Sequence, residues 1–174
     1  MTNSVLGVRN IQHTNGTDAM TLDTSGNVTV KGNLNVEGRV DIDTIPHALV
    51  GFTGNGNTYQ SQSSGIIEFN LAVNNDGNHY DTSTYKFTCP VPGLYLMQFG
   101  TIAVSGTGQV GVDFYNNGTR FFRGWDDNRG AHFSNIAKVT TAGHQLHLQL
   151  ASTTTLYEGN GTELYTFGSY TYLG

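Results

Sequence analysis

Cysteine, proline and charged residues are all scarce in this chain of 174 residues. Cys89 is the only cysteine, so no disulfide can form within one chain, and we interpret its thiol as a small buried hydrophobic group. The eight Lys and Arg residues form no basic stripe, which argues against nucleic-acid binding. Apolar runs stay well below the length of about 18 residues that a membrane-spanning helix requires, so we expect no membrane insertion.

The N-terminus lacks the features of a secretion signal. Its first residues have neither a basic start nor the apolar core of a signal peptide. From this beginning we expect a protein that is made in a cytosol and that leaves it, if at all, without the usual secretion route.

Turn-forming and aromatic residues are abundant. The chain has 23 Gly, nine Phe and nine Tyr, and no window with sustained helical periodicity. Short apolar or alternating segments are separated by turn signals such as Asn117-Gly118. The predicted strands are residues 48–53, 66–70, 86–88, 94–105, 110–115, 119–123, 131–140, 145–151 and 164–173. Their number and spacing predict an all-β sandwich or jelly roll.

A six-residue repeat precedes this region. Glycine opens each unit at Gly26, Gly32 and Gly38, and apolar residues fill the third and fifth positions. The apolar residues of the repeat are Val28, Val30, Leu34, Val36, Val40 and Ile42. One such strip cannot bury its own apolar face, but three copies wound together can form a closed core. The repeat predicts a short trimeric β shaft over residues 26–46; an ordinary β-meander or a flexible linker is the alternative.

The chain therefore divides into three predicted parts. Residues 1–25 carry a weaker pattern that predicts hairpin-like strands with Asn-Gly and Ser-Gly turns. We interpret them as an anchor segment that attaches to another protein. The shaft follows, and Pro46 marks the start of a C-terminal knob over residues 47–174.

The knob resembles a known family. The segment Phe-Thr-Cys-Pro-Val-Pro-Gly-Leu-Tyr (residues 87–95) and the ending Phe-Gly-Ser-Tyr-Thr-Tyr-Leu (residues 167–173) are similar to the globular head of the complement component 1q and tumour necrosis factor superfamily. The resemblance implies a ten-stranded, two-sheet jelly roll assembled as a tight homotrimer. Large aromatic residues are then candidates for the trimer core, together with the repeat's apolar residues. These aromatic candidates are Tyr95, Phe99, Tyr170 and Tyr172.

The N-terminal part resembles bacteriophage tail-fibre proteins, more loosely. Together the two resemblances imply a phage fibre located in the virion and assembled in the host cytoplasm. Its N-terminus would bind another virion protein, and its knob would bind a host-surface glycan or protein. The alternatives are a purely structural virion decoration or spacer, and a cellular lectin of the complement 1q type.

No catalytic motif occurs in the sequence. It has no Gly-x-Ser-x-Gly elbow, phosphate-binding loop or His-Glu-x-x-His pattern, so we expect no enzyme, no catalytic residue and no cofactor. We interpret His144 and His147 as polar surface side chains rather than metal ligands. We interpret the loop with Asp76, His79 and Asp81 as a turn held by Asx hydrogen bonds, with a bound cation as the alternative.

One loop has the composition of a binding site. It contains the only Trp beside acidic, amide and basic groups, a combination that suits a sugar ring and its hydroxyls. Burial of the Trp at the sandwich edge is the alternative. Strand alternation predicts that this loop, residues 106–109 and residues 153–161 lie together at the end far from the termini. The candidate ligand-binding residues are Arg123, Trp125, Asp126, Asp127, Asn128, Arg129, Tyr157, Glu158 and Asn160.

Overall fold

The structure is a computed structural model that describes residues 10–12, 18–31, 45–52, 59–102, 109–126, 130–159 and 163–174. The chain forms two compact units, Met1–Ile42 and Asp43–Gly174. The part of the chain that the structure describes contains no helix that is long and apolar enough to cross a membrane.

The first unit contains a three-stranded antiparallel sheet of β1 (Asn10–Gln12), β2 (Asp18–Leu22) and β3 (Val28–Val30). The carboxylate of Asp23 accepts the backbone N–H groups of Ser25 and Asn27 at 2.9 and 2.8 Å, and Gly26 has a φ of 85°. The predicted hairpin with its Ser-Gly turn is therefore confirmed.

The described part of the predicted shaft is the strand β3. It pairs with β2 of the same chain, as the meander alternative requires; Val28 is exposed and Val30 is half-buried. The other four apolar residues of the repeat, Leu34, Val36, Val40 and Ile42, lie outside the described residues. The trimeric shaft stays a prediction.

The second unit is built from short antiparallel strands. Its strands are β4 (His47–Gly51), β5 (Tyr59–Gln62), β6 (Gly65–Ile66), β7 (Leu71–Asp76), β8 (Tyr80–Asp81), β9 (Lys86–Thr88), β10 (Gly93–Ile102), β11 (Val110–Asn116), β12 (Thr119–Asp126), β13 (Gly130–Val139), β14 (Gln145–Leu150), β15 (Thr154–Tyr157) and β16 (Phe167–Tyr172). One sheet has the order β13-β10-β16-β4-β7. The second has the order β12-β11-β14-β9-β8, with β6 also paired to β14. Strands β15 and β5 form a separate pair, and the result is the predicted all-β jelly roll.

The core lies between the two large sheets because alternate side chains of each strand point inward. On β10, for example, Tyr95, Met97 and Phe99 are all fully buried. Phe87 and Tyr170 stack with their ring centroids 5.3 Å apart. Each such side chain contributes about 1.5–3 kcal/mol through burial.

This packing corrects part of the predicted trimer core. Tyr95, Phe99 and Tyr170 each have 0% exposure within a single chain, so they have no surface left for another copy. Assigning them to a threefold core is wrong. Tyr172 is half-buried and packs on Tyr95 with ring centroids 5.1 Å apart.

The strand predictions match the structure best where the apolar signal is strong. Residues 86–88 agree with β9, and the prediction of 131–140 agrees with β13 to within one residue at each end. The predicted strand 94–105 agrees with β10 as far as Ile102, and its last three residues lie outside the described residues. Residues 67–70 hold no strand, although Ile67 and Phe69 are buried as predicted strand residues would be. Strands β5, β7, β8 and β15 are not among the predicted strands. The described residues of the second unit therefore contain more strands than the ten that the resemblance implies, and several of them are short.

Candidate functional site

Trp125 lies on the outer face of the second sheet. Val112 and Phe114 of β11 point into the core, so their neighbours Gly111 and Asp113 face outward. The register pairs Gly111 with Trp125. A Cβ atom on Gly111 would come within 2.5 Å of the ring atom Cζ3 of Trp125, so the indole lies directly over this glycine. The indole remains 47% exposed and can contact a ligand.

Asp113 is a buried carboxylate beside this indole. It is 3% exposed and faces Arg123, its register partner on β12. Nε of Arg123 donates to Oδ1 of Asp113, and a terminal nitrogen of Arg123 donates to Oδ2 at 2.6 Å. Arg120 lies farther away, with its nitrogen 3.4 Å from Oδ2. The ion pair is bidentate, and this geometry fixes the orientation of the arginine side chain.

The ion pair stays charged because its charge interactions outweigh burial. Burial raises the pKa of Asp113, but the hydrogen bonds and positive charge of Arg123, together with the charge of Arg120, bring that pKa below its ordinary value. The hydrogen bond that Arg123 donates to Asp113 likewise raises the pKa of Arg123. At neutral pH both partners are therefore ionised.

Arg123 also contacts the indole. Its guanidinium carbon lies 5.7 Å from the centroid of the Trp125 ring, within the range of a cation–π interaction. Asp113 thus holds Arg123, and Arg123 helps to hold Trp125. We call Asp113, Arg123 and Trp125 the indole site.

The other predicted ligand residues are placed differently. Asp126 ends β12 and is half-buried, with Val110 as its register partner. Tyr157 ends β15 and meets Tyr165 edge-on, with ring centroids 6.1 Å apart, and Glu158 follows it. Asp127, Asn128, Arg129 and Asn160 lie outside the described residues. Of the predicted ligand residues that the structure describes, Arg123 and Trp125 alone belong to the indole site.

Asp113 is the residue that sequence reasoning missed. In the sequence, the indication for Asp113 was a single charged residue at an outward-facing position of the largely apolar strand β11. The register pairs Ile102 with Gly130 and Val110 with Asp126, so these strand ends lie at one end of the sandwich. Residues 106–108 and 127–129 lie outside the described residues, and their grouping with residues 153–161 stays a prediction. At the opposite end, the N–H of Leu94 donates to the carbonyl of Gly174.

His147 corrects a second prediction. It is 4% exposed, and its ring stacks on Tyr115 of the adjacent strand with centroids 4.8 Å apart. Its Nε2 lies 2.9 Å from Nε2 of Gln149. Burial lowers the pKa of His147 to about 4, and the positive charge of Lys86 adds to the effect. Interpreting His147 as a polar surface side chain is wrong because Tyr115 covers it.

The loop around residues 76–81 is held by side-chain hydrogen bonds, as predicted. The carboxylate of Asp81 accepts the N–H and the hydroxyl of Ser83 and the hydroxyl of Thr84. Oδ2 of Asp76 lies 3.2 Å from Nδ1 of His47. Among the described residues, no group of three or more His, Cys, Asp or Glu could hold a metal ion.

Cys89 is buried, as predicted. Its exposure is 0%, and burial raises the pKa of its thiol to about 12. The thiol therefore stays protonated at neutral pH.

Solved structures with the same fold define the class. The globular domain of zebrafish complement 1qA matches with a TM-score of 0.50 and 18% identity over 73% of this chain and 94% of that chain. The TNF protein Eiger from S. frugiperda matches with a TM-score of 0.55 and 11% identity over 74% of this chain and 94% of that chain. Murine APRIL matches with a TM-score of 0.53 and 14% identity over 73% of this chain and 99% of that chain. The fold is thus the jelly roll of complement C1q and TNF proteins.

The family follows from the sequence match. The C1q domain model matches residues 51–171, and the chain belongs to the C1q domain family. A complement C1q subcomponent of the rat is 36% identical over 87 residues, which are 50% of this chain and 32% of the relative. Mouse complement C1q tumor necrosis factor-related protein 2 is 33% identical over 66 residues, which are 38% of this chain and 22% of the relative. The chain thus spans about a third of the length, or less, of these relatives.

These relatives overturn the predicted location. They are mammalian complement C1q and C1q-related proteins, not virion components, so the prediction of a virion protein is wrong. The resemblance to complement 1q heads is confirmed. The match favours the alternative of a cellular C1q-like protein over a phage fibre.

Proposed function

We propose that this chain is a cellular recognition protein of the C1q type that catalyses no reaction and binds a surface glycan or protein through the indole site. The single observation that carries the proposal is the exposed indole of Trp125, held over Gly111 beside an arginine that a buried carboxylate fixes. An indole ring whose position is already fixed loses little conformational entropy when a ligand binds.

The chemistry of the indole site suits a sugar or a polar protein surface. The exposed part of Trp125 can stack against the C–H face of a sugar ring or against an apolar side chain. Arg123 uses two N–H groups on Asp113, and its side chain is still 37% exposed, which leaves room for a further acceptor. The ligand therefore needs an apolar face next to a hydrogen-bond acceptor.

We infer further that the protein is a homotrimer through the outer face of β10 and β13. Ile136 and Leu94 point outward there and are 49% and 42% exposed, and Leu96 is the register partner of Ile136. Exposed aliphatic side chains on neighbouring strands are typical of a surface that another copy of the chain covers. Three linked indole sites would raise the avidity for a surface by about 10²–10⁴.

The experiment that tests the proposal compares Trp125→Ala with Val91→Ala, a change at another exposed apolar side chain. Both proteins are applied to a glycan array and to animal cells, and their solution mass is measured by light scattering. We expect Trp125→Ala to lose binding by about tenfold or more at unchanged mass. Equal binding of both variants would refute the indole site, and wild-type protein that binds no surface would refute the recognition role.

A further inference from the structure

A cavity lies at the opposite end of the β11–β12 hairpin from the indole site. It has a volume of about 310 Å³ and is lined by Asn116, Asn117, Thr119, Phe121 and His144. This volume falls at the lower end of the range for small-molecule sites, about 300–1,000 Å³. We call these five residues the edge cavity, because Thr119 and Phe121 belong to β12, an edge strand of the second sheet.

Local backbone features build the edge cavity. Asn117 and Gly118 have φ values of 47° and 81°, which make the tight turn between β11 and β12. The register pairs Phe114 with Phe122 and Tyr115 with Arg120, so Phe121 is an extra residue without an opposite partner. Such a bulge redirects a side chain, and Phe121 is 38% exposed as a result.

Two polar atoms of the cavity residues lack partners. Oδ1 of Asn116 and Nδ1 of His144 are buried, and neither has a hydrogen-bond partner among the described residues. The amide nitrogen of Asn116 is already used, since it donates to the carbonyl of Lys138 at 2.9 Å. A buried polar atom without a partner is unfavourable, so a rotation of either side chain that brings its atom to a ligand in the cavity would gain a hydrogen bond.

The lining residues define the ligand class. Within the described part of the chain they supply amides, a hydroxyl, an imidazole and one aromatic ring, but no carboxylate, lysine or arginine. A neutral molecule whose hydroxyls both donate and accept hydrogen bonds matches this set, and its C–H face can pack on Phe121. We propose that the edge cavity binds a neutral sugar unit, independently of the indole site.

The test is a titration of the ¹⁵N-labelled full chain with glucose, galactose, mannose and N-acetylglucosamine, followed by amide chemical shifts. Glucuronate is the charged counterpart of glucose. Each sugar is raised to about 50 mM, which saturates a site with a millimolar dissociation constant. We expect at least one neutral sugar to shift the amides of Asn117, Thr119 and His144, and to bind more tightly than glucuronate.

Variants separate this site from the indole site. Phe121→Leu keeps an apolar side chain but removes the flat ring, and we expect it to weaken the sugar about tenfold. Trp125→Ala should leave this binding unchanged, so failure of the indole site and failure of the edge cavity are distinguishable. The proposal is overturned if no sugar shifts these amides. It is also overturned if Phe121→Leu has no effect on affinity, or if it changes the solution mass, which would make the cavity a contact between copies of the chain.

Discussion

Two buried ionisable residues on the outer face of the second sheet behave in opposite ways. Asp113 meets two arginines, which bring its pKa down although burial alone would raise it. His147 meets Tyr115 and Gln149 and no carboxylate, so burial decides and its pKa falls to about 4. The two side chains are buried to a similar extent, but Asp113 stays charged and His147 stays neutral at pH 7. The reason is that only the aspartate has a partner of opposite charge.

His147 predicts a loss of stability on mild acidification. Its pKa is lower in the folded state than the ordinary value of 6.5. The neutral imidazole therefore makes its full contribution to the free energy of unfolding above pH 6.5, and this contribution is lost as the pH falls to about 4. The expected loss is about 3 kcal/mol of the free energy of unfolding. Urea unfolding of the second unit, followed by Trp125 fluorescence at several pH values, measures it.

His147→Gln is the matched variant for that measurement. It keeps a polar side chain but cannot be protonated, so its stability should be flatter between pH 6.5 and 4. The contribution of Asp113 is lost only at lower pH, below its ordinary value of 3.8, and is therefore separable. Parallel pH profiles for the wild type and His147→Gln would show that the buried imidazole does not govern this range.

At the scale of elements, the β11–β12 hairpin carries both candidate sites. Trp125 belongs to its end near Val110, and Asn117 belongs to its turn. The turn was predictable because Asn-Gly is the preferred pair when both central residues need positive φ. The bulge that exposes Phe121 was not predictable, because the run Arg-Phe-Phe-Arg fits strand pairing in either register.

The hairpin turn predicts unequal effects of two glycine substitutions. Gly118→Ala should destabilise the protein by about 1 kcal/mol, because φ is 81° and a Cβ there meets nothing within 4 Å that could offset the strain. Gly130→Ala is the control, since its added Cβ would only approach the carbonyl oxygen of Thr101 at 3.9 Å. Thermal unfolding should separate the two variants. Equal melting temperatures for the two variants would contradict the prediction, because they would mean that alanine adopts the left-handed turn without strain.

At the scale of the whole molecule, the exposed aliphatic side chains of the first sheet predict assembly. Ile136→Glu places a charge in the middle of that face, and we expect it to convert a trimer into monomers, because a buried unpaired carboxylate costs several kcal/mol. Light scattering of the full chain measures the mass. Val91→Glu is the control, because it places the same charge on another exposed apolar side chain. We expect this variant to keep the solution mass of a trimer. A monomeric wild type, or an Ile136→Glu trimer, would contradict the assigned face.

The sequence resemblance identified the family correctly but predicted the wrong biological setting. Residues 87–95 and 167–173 belong to packed strands and turns whose side chains are constrained, so they carried the C1q signal correctly. The glycine repeat of residues 26–46 is low in complexity, and many unrelated short strands share such a pattern. The phage interpretation rested on that repeat and on the turn-rich segment that precedes it, and the mammalian relatives do not support it.

The sequence by itself determined the all-β class, the C1q family, the Asn-Gly turn and the buried Cys89, because these depend on local pattern and residue type. Only the tertiary structure decided that Asp113 fixes Arg123 and that Tyr115 covers His147, since both contacts join different strands. It also assigned Tyr95 and Tyr170 to the core of one chain. The side of a sheet on which an aromatic side chain is buried depends on strand register, which short-range sequence does not specify.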